Sequence, residues 1–281
     1  MMWRNSLYNE LIKITARPRS FLGVAAITLI IVLIQVAMKM DGLSYIQFIT
    51  APIEQNLIIE GNILNGNLMT FIILQMLLIH IPLLVAFITG DLISGEAAMG
   101  TLRILLTKPV SRANIYWSKY LAGALYTILL LLWIAILAWG GGHLLFGTGD
   151  LIILNSDGIV ILQAHDIFWR LSAALLQATL ALLTISTLSI FFSCFADNSI
   201  GPIVSTMGVV ILFTLVGSLD VPIFTYIRPL LFTTHMAAWR LWFNDPVPYA
   251  DIAFSSVILV LHIIILAGLG LWKFNRKDIL S

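Results

Sequence analysis

Residues 68–89 read LMTFIILQMLLIHIPLLVAFIT, residues 90–114 read GDLISGEAAMGTLRILLTKPVSRAN, and residues 115–137 read IYWSKYLAGALYTILLLLWIAIL. A helix needs about 20 apolar residues to cross the hydrocarbon of a bilayer, and the two outer runs meet that length. The segment between them is polar and basic in a chain otherwise poor in charge. It is expected to be an aqueous structure held against a membrane face, where something outside the bilayer touches it.

The rest of the chain fits this reading. Of 281 residues, 60% are hydrophobic and 10% charged, and mean hydropathy is +1.00. A soluble domain carries about 25% charged residues, so most of this surface must face lipid. A net charge of +1 lacks the concentrated basic face that nucleic acid demands. The single cysteine, Cys194, rules out a disulfide framework within one chain. Basic residues do precede the first apolar run, but about twenty polar or amphipathic residues come first and no small-residue cleavage site follows. That run is expected to be a permanent span rather than a cleaved signal.

Six windows are long and apolar enough to cross: about 21–38, 68–89, 115–137, 171–194, 200–219 and 252–272. The expected fold is an all-α integral membrane protein of one domain, residues 1–281, with six transmembrane helices. An amphipathic interfacial helix is expected over residues 1–18. There Trp3, Leu7, Leu11 and Ile14 recur at helical spacing, while Arg4, Asn5, Glu10, Lys13 and Arg17 leave the other faces polar. Pro18 stops it.

With the N-terminus in the cytoplasm, eleven of the fifteen Lys and Arg residues fall on the inner side. They are Arg4, Lys13, Arg17, Arg19, Arg103, Lys108, Arg112, Lys119, Lys273, Arg276 and Lys277. The outer side keeps Lys39, Arg170, Arg228 and Arg240. The positive-inside rule therefore places both termini in the cytoplasm. Three long outer connections follow. Residues 39–67 carry Asp41-Gly42, Glu54, Glu60 and Gly61-Asn62; residues 140–170 carry a Gly-Gly-Gly run and Asp157-Gly158. Residues 220–251 mix Pro222, Pro229, Pro246 and Pro248 with Trp239, Trp242 and Tyr249. This last connection is too apolar for a free loop and predicts short helices or a re-entrant turn.

From Asp91 to Lys119 the chain resembles the ABC transporter type-2 permeases, the membrane halves of ATP-driven exporters. The shared pattern is an acid at Glu96, then Gly100-Thr101-Leu102, Leu105-Leu106, Pro109, Arg112 and Lys119. The layout of six spans with both ends inside agrees with it. The resemblance implies that residues 90–112 form a coupling helix docking into a groove on a nucleotide-binding subunit. Glu96, Gly100, Thr101, Leu102, Arg103, Leu105, Leu106, Pro109 and Arg112 would make that contact. The residues themselves suit such a role. Leu102, Leu105 and Leu106 lie beside basic Arg103 and Lys108, Gly95 and Gly100 permit tight turns, and Pro109 ends the helical piece. Charge reversal at Glu96 or Arg103 is expected to uncouple the ATPase without unfolding the spans.

The resemblance has further consequences. The chain contains no Gly-x-x-x-x-Gly-Lys-Ser/Thr phosphate loop, so ATP and Mg belong on a separate P-loop ATPase subunit, and this chain is a transport subunit binding no cofactor itself. Two ATPase subunits imply two permease copies, as a homodimer or as a heterodimer with a related permease. Because the second and fifth spans line the path in that family, Gln75, Met76, Ile79, Met207 and Phe213 are candidate path residues.

Polar groups inside the spans turn toward the bundle interior or water. His80 and Gln177 join the candidate path on that ground. Thr184, Ser186, Thr187, Ser189, Ser205 and Thr206 more often satisfy their own helix, and His262 lies in the last span. Pro82 should kink or loosen the second span. Among the five histidines none shows metal-protease spacing; His143 and His165 share an outer region with Asp150, Asp157 and Asp166 but match no ligand pattern. The competing reading is an ATP-independent secondary transporter or channel, which would call for buried ionisable groups or broken repeats. A membrane-embedded enzyme would need paired catalytic groups at a membrane face, and none is visible.

Overall fold

The structure is a computed structural model that describes residues 2–54, 63–155 and 158–277. Glu60, the Gly61-Asn62 turn signal and Asp157 lie outside the described residues, as do the side chains of Trp3, Arg4, Arg19 and Glu54.

Helix α1 spans Met2–Ala16 and α2 spans Pro18–Glu54. The latter is not one straight rod, because Asp41 interrupts it with φ −141° and ψ 23°. The Asp41-Gly42 signal thus marks a kink rather than the start of a loop. Helix α3 (Gly66–Thr89) continues through Pro82 without a break. Its N-terminus is capped by the Asn65 side chain, which accepts from the amides of Asn67 and Leu68. Two short helices follow, α4 (Asp91–Ala98) and α5 (Thr101–Leu106). Then come α6 (Arg112–Phe146), a hairpin of β1 (Leu151–Asn155) and β2 (Gly158–Leu162), α7 (Ala164–Ser193) and α8 (Ile200–Ser218).

The connection after α8 is built from α9 (Pro222–Thr225), a 3-10 turn at Arg228–Leu230, α10 (Phe232–His235) and a 3-10 stretch at Met236–Phe243. It packs back on the bundle: Phe71 of α3 meets Trp239 at 5.8 Å and Phe243 at 5.1 Å between ring centroids. The run of short helical pieces expected there is present. Helix α11 (Tyr249–Arg276) closes the chain.

Among the described residues, six helices are long and apolar enough to cross a membrane: Ser20–Gly42, Gly66–Ala98, Arg112–Phe146, Ala164–Ser193, Ile200–Ser218 and Tyr249–Arg276. Three differ from the windows expected by seven residues or more, the second because it runs on through α4 to Ala98. The third runs nine residues past Leu137 and takes in Gly140, Gly141 and Gly142, which the sequence suggested were loop. These glycines serve close packing. A Cβ on Gly141 would sit 2.5 Å from the Gln35 amide oxygen, and one on Gly142 would sit 2.9 Å from the Gly66 carbonyl. Gln35 donates instead to the Leu137 carbonyl at 3.0 Å. Small residues let membrane helices approach so closely that backbone groups become partners. The fourth span starts seven residues early, at Ala164, directly after the hairpin that adds a little β-structure to an otherwise helical chain. That hairpin pairs Leu151 with Leu162 and Ile153 with Val160.

The core forms along α3, α6 and α7, around Ile73, Leu77, Leu131, Ile134, Leu182 and Ile185. A second, separate cluster sits at the end carrying α1, α4 and α5. It holds Ile14, Ile88, Leu92, Ile93, Leu102, Ile115 and Tyr116. By contrast, α8 buries only Pro202 and Thr206.

Candidate functional site

The site is assembled at the end of the bundle where that second cluster lies. Helix α1 presents Leu7, Leu11 and Ile14 to it, a stripe set by steps of four and three residues. Glu10 and Lys13 ride on the edge of the same stripe, one helical turn apart. The apolar face of α1 is therefore turned onto the protein, and Glu10, Lys13 and Arg17 do not lie on a free polar face as the sequence suggested.

Helix α4 follows α3 after the single residue Gly90. Its first amides find their partner in α7. The Ser193 hydroxyl accepts from Ile93 at 3.3 Å and Ser94 at 2.9 Å while it donates to the Gly90 carbonyl. This is an N-terminal cap supplied from another helix, and it fixes where Glu96 points.

Glu96 and Glu10 are bridged by two lysines. Lys13 Nζ lies 2.7 Å from Glu10 Oε1 and 2.7 Å from Glu96 Oε1. Lys119 Nζ lies 2.9 Å from Glu10 Oε2 and 2.8 Å from Glu96 Oε2. The four side chains make a closed ring of alternating charge that joins α1, α4 and α6 at one point. The ring is neutral, and each carboxylate oxygen meets an ammonium. Lys119 is 0% exposed, and an unpaired ammonium there would carry a desolvation cost of several kcal/mol. Burial pulls the Lys13 ammonium toward deprotonation, but its hydrogen bonds to Glu10 and Glu96 and their charges outweigh that, holding its pKa above 10.5. A second ion pair ties Arg17, directly after α1, to Asp91 at the start of α4.

The residues expected to dock on a partner divide into two groups. Glu96 and Leu102 point inward, the one into the ring and the other into the apolar cluster, where it is wholly buried. Leu105 and Leu106 pack partly on that cluster. Arg112 reaches the end of α11, donating to the carbonyls of Asn275 at 3.0 Å and Lys277 at 2.8 Å. These five hold the segment to the bundle; reversal of Glu96 would strike the ring before any outside surface. The outward side is made by Met99, Gly100, Thr101, Arg103, Ile104, Thr107, Lys108 and Pro109, all exposed. Gly100 has φ +71° with open space around it, which turns α4 into α5 at a conformation that favours glycine. Met99 and Ile104, at 58% and 64% exposed, are the large apolar side chains of this edge.

Sequence reasoning missed Glu10, Lys13, Arg17, Asp91 and Ser193 as parts of the site. Lys119 it used only as a member of the family pattern and of the charge count. A signal was present: an ionisable residue at the start of an apolar run needs a partner.

A second feature lies further along the spans. A cleft of about 690 Å³ opens between α3, α7, α8 and the stretch from Thr233 to Arg240. Of the candidate path residues, Gln75, Ile79, His80 and Met207 line it, and so does Pro82. Met76 is exposed beside it. Gln177 is buried elsewhere and accepts from Ser256 at 2.8 Å, and Phe213 packs on Phe232 at 5.6 Å. The span hydroxyls largely serve backbone. Thr184, Thr187 and Thr206 donate to carbonyls four residues back, while Ser189 crosses to Ala86. His143 and His262 do the same through Nδ1, to Trp139 and Ile258. His165 lies 3.5 Å from its neighbour Asp166.

Fold and site together define a multi-pass, predominantly α-helical membrane protein with an ion-paired helical cap at one end. Residues 28–280 match the family described as "Protein of unknown function (DUF2705)", and the chain belongs to that family. It is also similar to the Bacillus subtilis (strain 168) protein described as "Uncharacterized protein YhcI", at 25% identity over 197 residues. That match covers 68% of this chain and 62% of the relative, less than two thirds of the relative's length.

Proposed function

We propose that this chain is the membrane permease subunit of an ATP-driven exporter, working with a separate P-loop ATPase that binds ATP and Mg. In this reading the end carrying α1, α4 and α5 faces the cytoplasm, as do both termini. A second copy, or a related permease, completes the transporter.

The observation that supports it most directly is the construction of the α4–α5 segment. Its inward side is fastened at three kinds of contact: the charge ring, the buried Leu102 and the Ser193 cap. Its outward edge leaves Met99, Arg103, Ile104 and Lys108 uncovered. A knob fixed so firmly to α1, α6 and α7 moves with them, and force applied to its outer edge reaches the spans through ion pairs and packed side chains rather than a slack loop. Such a connection can bias a two-state helical bundle, which is what coupling to nucleotide requires. Exposed α8 and the cleft beside it leave the fifth and second spans free to face a partner copy and a cargo.

The test is to purify the chain with a P-loop ATPase encoded beside it and measure ATP hydrolysis in vesicles. Arg103→Glu and Ile104→Asp, both at exposed positions, are expected to lower permease-dependent hydrolysis at least tenfold while leaving thermal stability unchanged. Transport by vesicles that hold this chain without any ATPase would establish an ATP-independent carrier instead.

A further inference from the structure

Four basic residues lie on elements at the end of the bundle opposite the charge ring, and three are paired with protein oxygens, although the Nε groups of Arg170 and Arg228 have no partner. Lys39 donates to the Leu145 carbonyl at 2.6 Å. Arg170 donates to the carbonyls of Trp242 at 3.1 Å and Asn244 at 2.7 Å, with Asp245 at 3.8 Å. Arg228 bonds to Leu219 and Asp220. Arg240 differs. Its guanidinium lies 5.7 Å from the ring centre of Trp239, and among the described residues no carboxylate or carbonyl pairs with it.

Arg240 lines the 690 Å³ cleft, and no acid lines it. Most of the wall is apolar, from Leu78 and Leu83 on α3 to Leu182 on α7 and Ile211 on α8, with Gln75, His80 and Thr214 as polar exceptions. The hydroxyl of Thr233, also in the lining, is buried and has no hydrogen-bond partner. On α3 the lining runs from Gln75 to Leu83, about 12 Å along the helix axis at ~1.5 Å per residue. The volume falls within the ~300–1,000 Å³ typical of small-molecule sites. Arg240 is an exposed residue of this lining, so its guanidinium is open to a ligand, and its planar set of donors matches carboxylate or phosphate oxygens.

We propose that this cleft binds an amphiphile with an anionic head, held by Arg240, and an acyl-like body lying between α3 and α8. The inference deepens the exporter reading only in naming the class of cargo; binding itself needs this chain alone. The Arg240 cation is the group such a head would pair with, and the absence of lining acids disfavours cationic amphiphiles.

The test uses the purified full chain in phosphatidylcholine nanodiscs, without any ATPase. Acyl-labelled phosphatidylglycerol, labelled phosphatidylcholine and free palmitate are the probes. Phosphatidylglycerol or palmitate is expected to bind at least tenfold tighter than phosphatidylcholine, and which of the two wins separates a bilayer lipid from a free amphiphile. Arg240→Ala should erase that preference, Arg240→Lys should keep part of it, and Ala181→Trp, which fills the cleft, should remove binding of every probe. Equal binding of the three probes by the wild type, or an Arg240→Ala variant that keeps the preference, overturns the proposal. If binding holds but no ATPase responds, the site stands and the exporter reading fails; stimulated hydrolysis without binding has the reverse meaning.

Discussion

Lys119 Nζ of α6 and Glu96 Oε2 of α4 meet at 2.8 Å, with the lysine wholly buried. The pair is half of a ring whose other half, Glu10 and Lys13, belongs to α1. Three helices far apart in sequence are thereby fixed by two lysines and two glutamates, so neutralising one member leaves a charge imbalance inside the protein.

Lys119→Met is accordingly expected to destabilise the protein by about 3–5 kcal/mol, since two carboxylates would be left facing each other with one ammonium between them. Lys13, with its side chain 40% exposed, should matter less, and Lys13→Ala should cost about 1 kcal/mol or less. Thermal unfolding in detergent, followed by the loss of monodisperse protein, gives the order. A Lys13→Ala variant as unstable as Lys119→Met would contradict the ring as described.

The alkaline behaviour of α1 follows from Lys13. Its pKa in the folded protein is raised above 10.5, so its contribution to holding α1 is complete below that value and is lost as pH rises through the folded pKa. A nitroxide on Asn5→Cys, at an exposed position of α1, should become more mobile only above pH 10.5. In the Lys13→Ala background this alkaline change should be absent.

Close approach of α3 and α6 depends on the missing side chain at residue 142. Gly142→Leu would drive its side chain toward the Gly66 carbonyl, 2.9 Å from the Cβ position, and should cost about 1–3 kcal/mol as overpacking. Gly140, whose Cβ position is open, is the control; Gly140→Ala should leave thermal stability within about 0.5 kcal/mol of wild type or raise it.

The hydroxyls in the spans separate by partner. Thr206 donates to its own helix, so Thr206→Val should change stability by less than about 1 kcal/mol. Ser193 caps α4 from α7, and Ser193→Ala leaves two buried amides without an acceptor, at about 1–3 kcal/mol. Hydrogen exchange at Ile93 and Ser94 should rise in that variant and stay unchanged in Thr206→Val.

Much of this was legible in the residues. Apolar runs of bilayer length announced six helices long enough to cross a membrane, because lipid offers the backbone no partners and only closed helical hydrogen bonding satisfies it. Pro and Trp alternation in residues 220–251 announced short helical pieces. Gly140-Gly141-Gly142 misled, since glycine marks a loop as readily as a tight helix crossing, and only Gln35 and Gly66 arriving from other helices decide between them. Glu96 misled for a related reason: as a letter among polar neighbours it reads as surface, yet Lys13 and Lys119 enclose it.

What the sequence determined alone is the membrane class, the helices long and apolar enough to cross a bilayer and the position of the polar segment between the second and third of them, all of which depend on local composition along one chain. What only the tertiary structure decided is which charges are inside. A carboxylate 83 residues from one lysine and 23 from another finds both because α1 folds back across α4 and α6, and that return is driven by burying Leu7, Leu11 and Ile14 in an apolar cluster that no single segment contains.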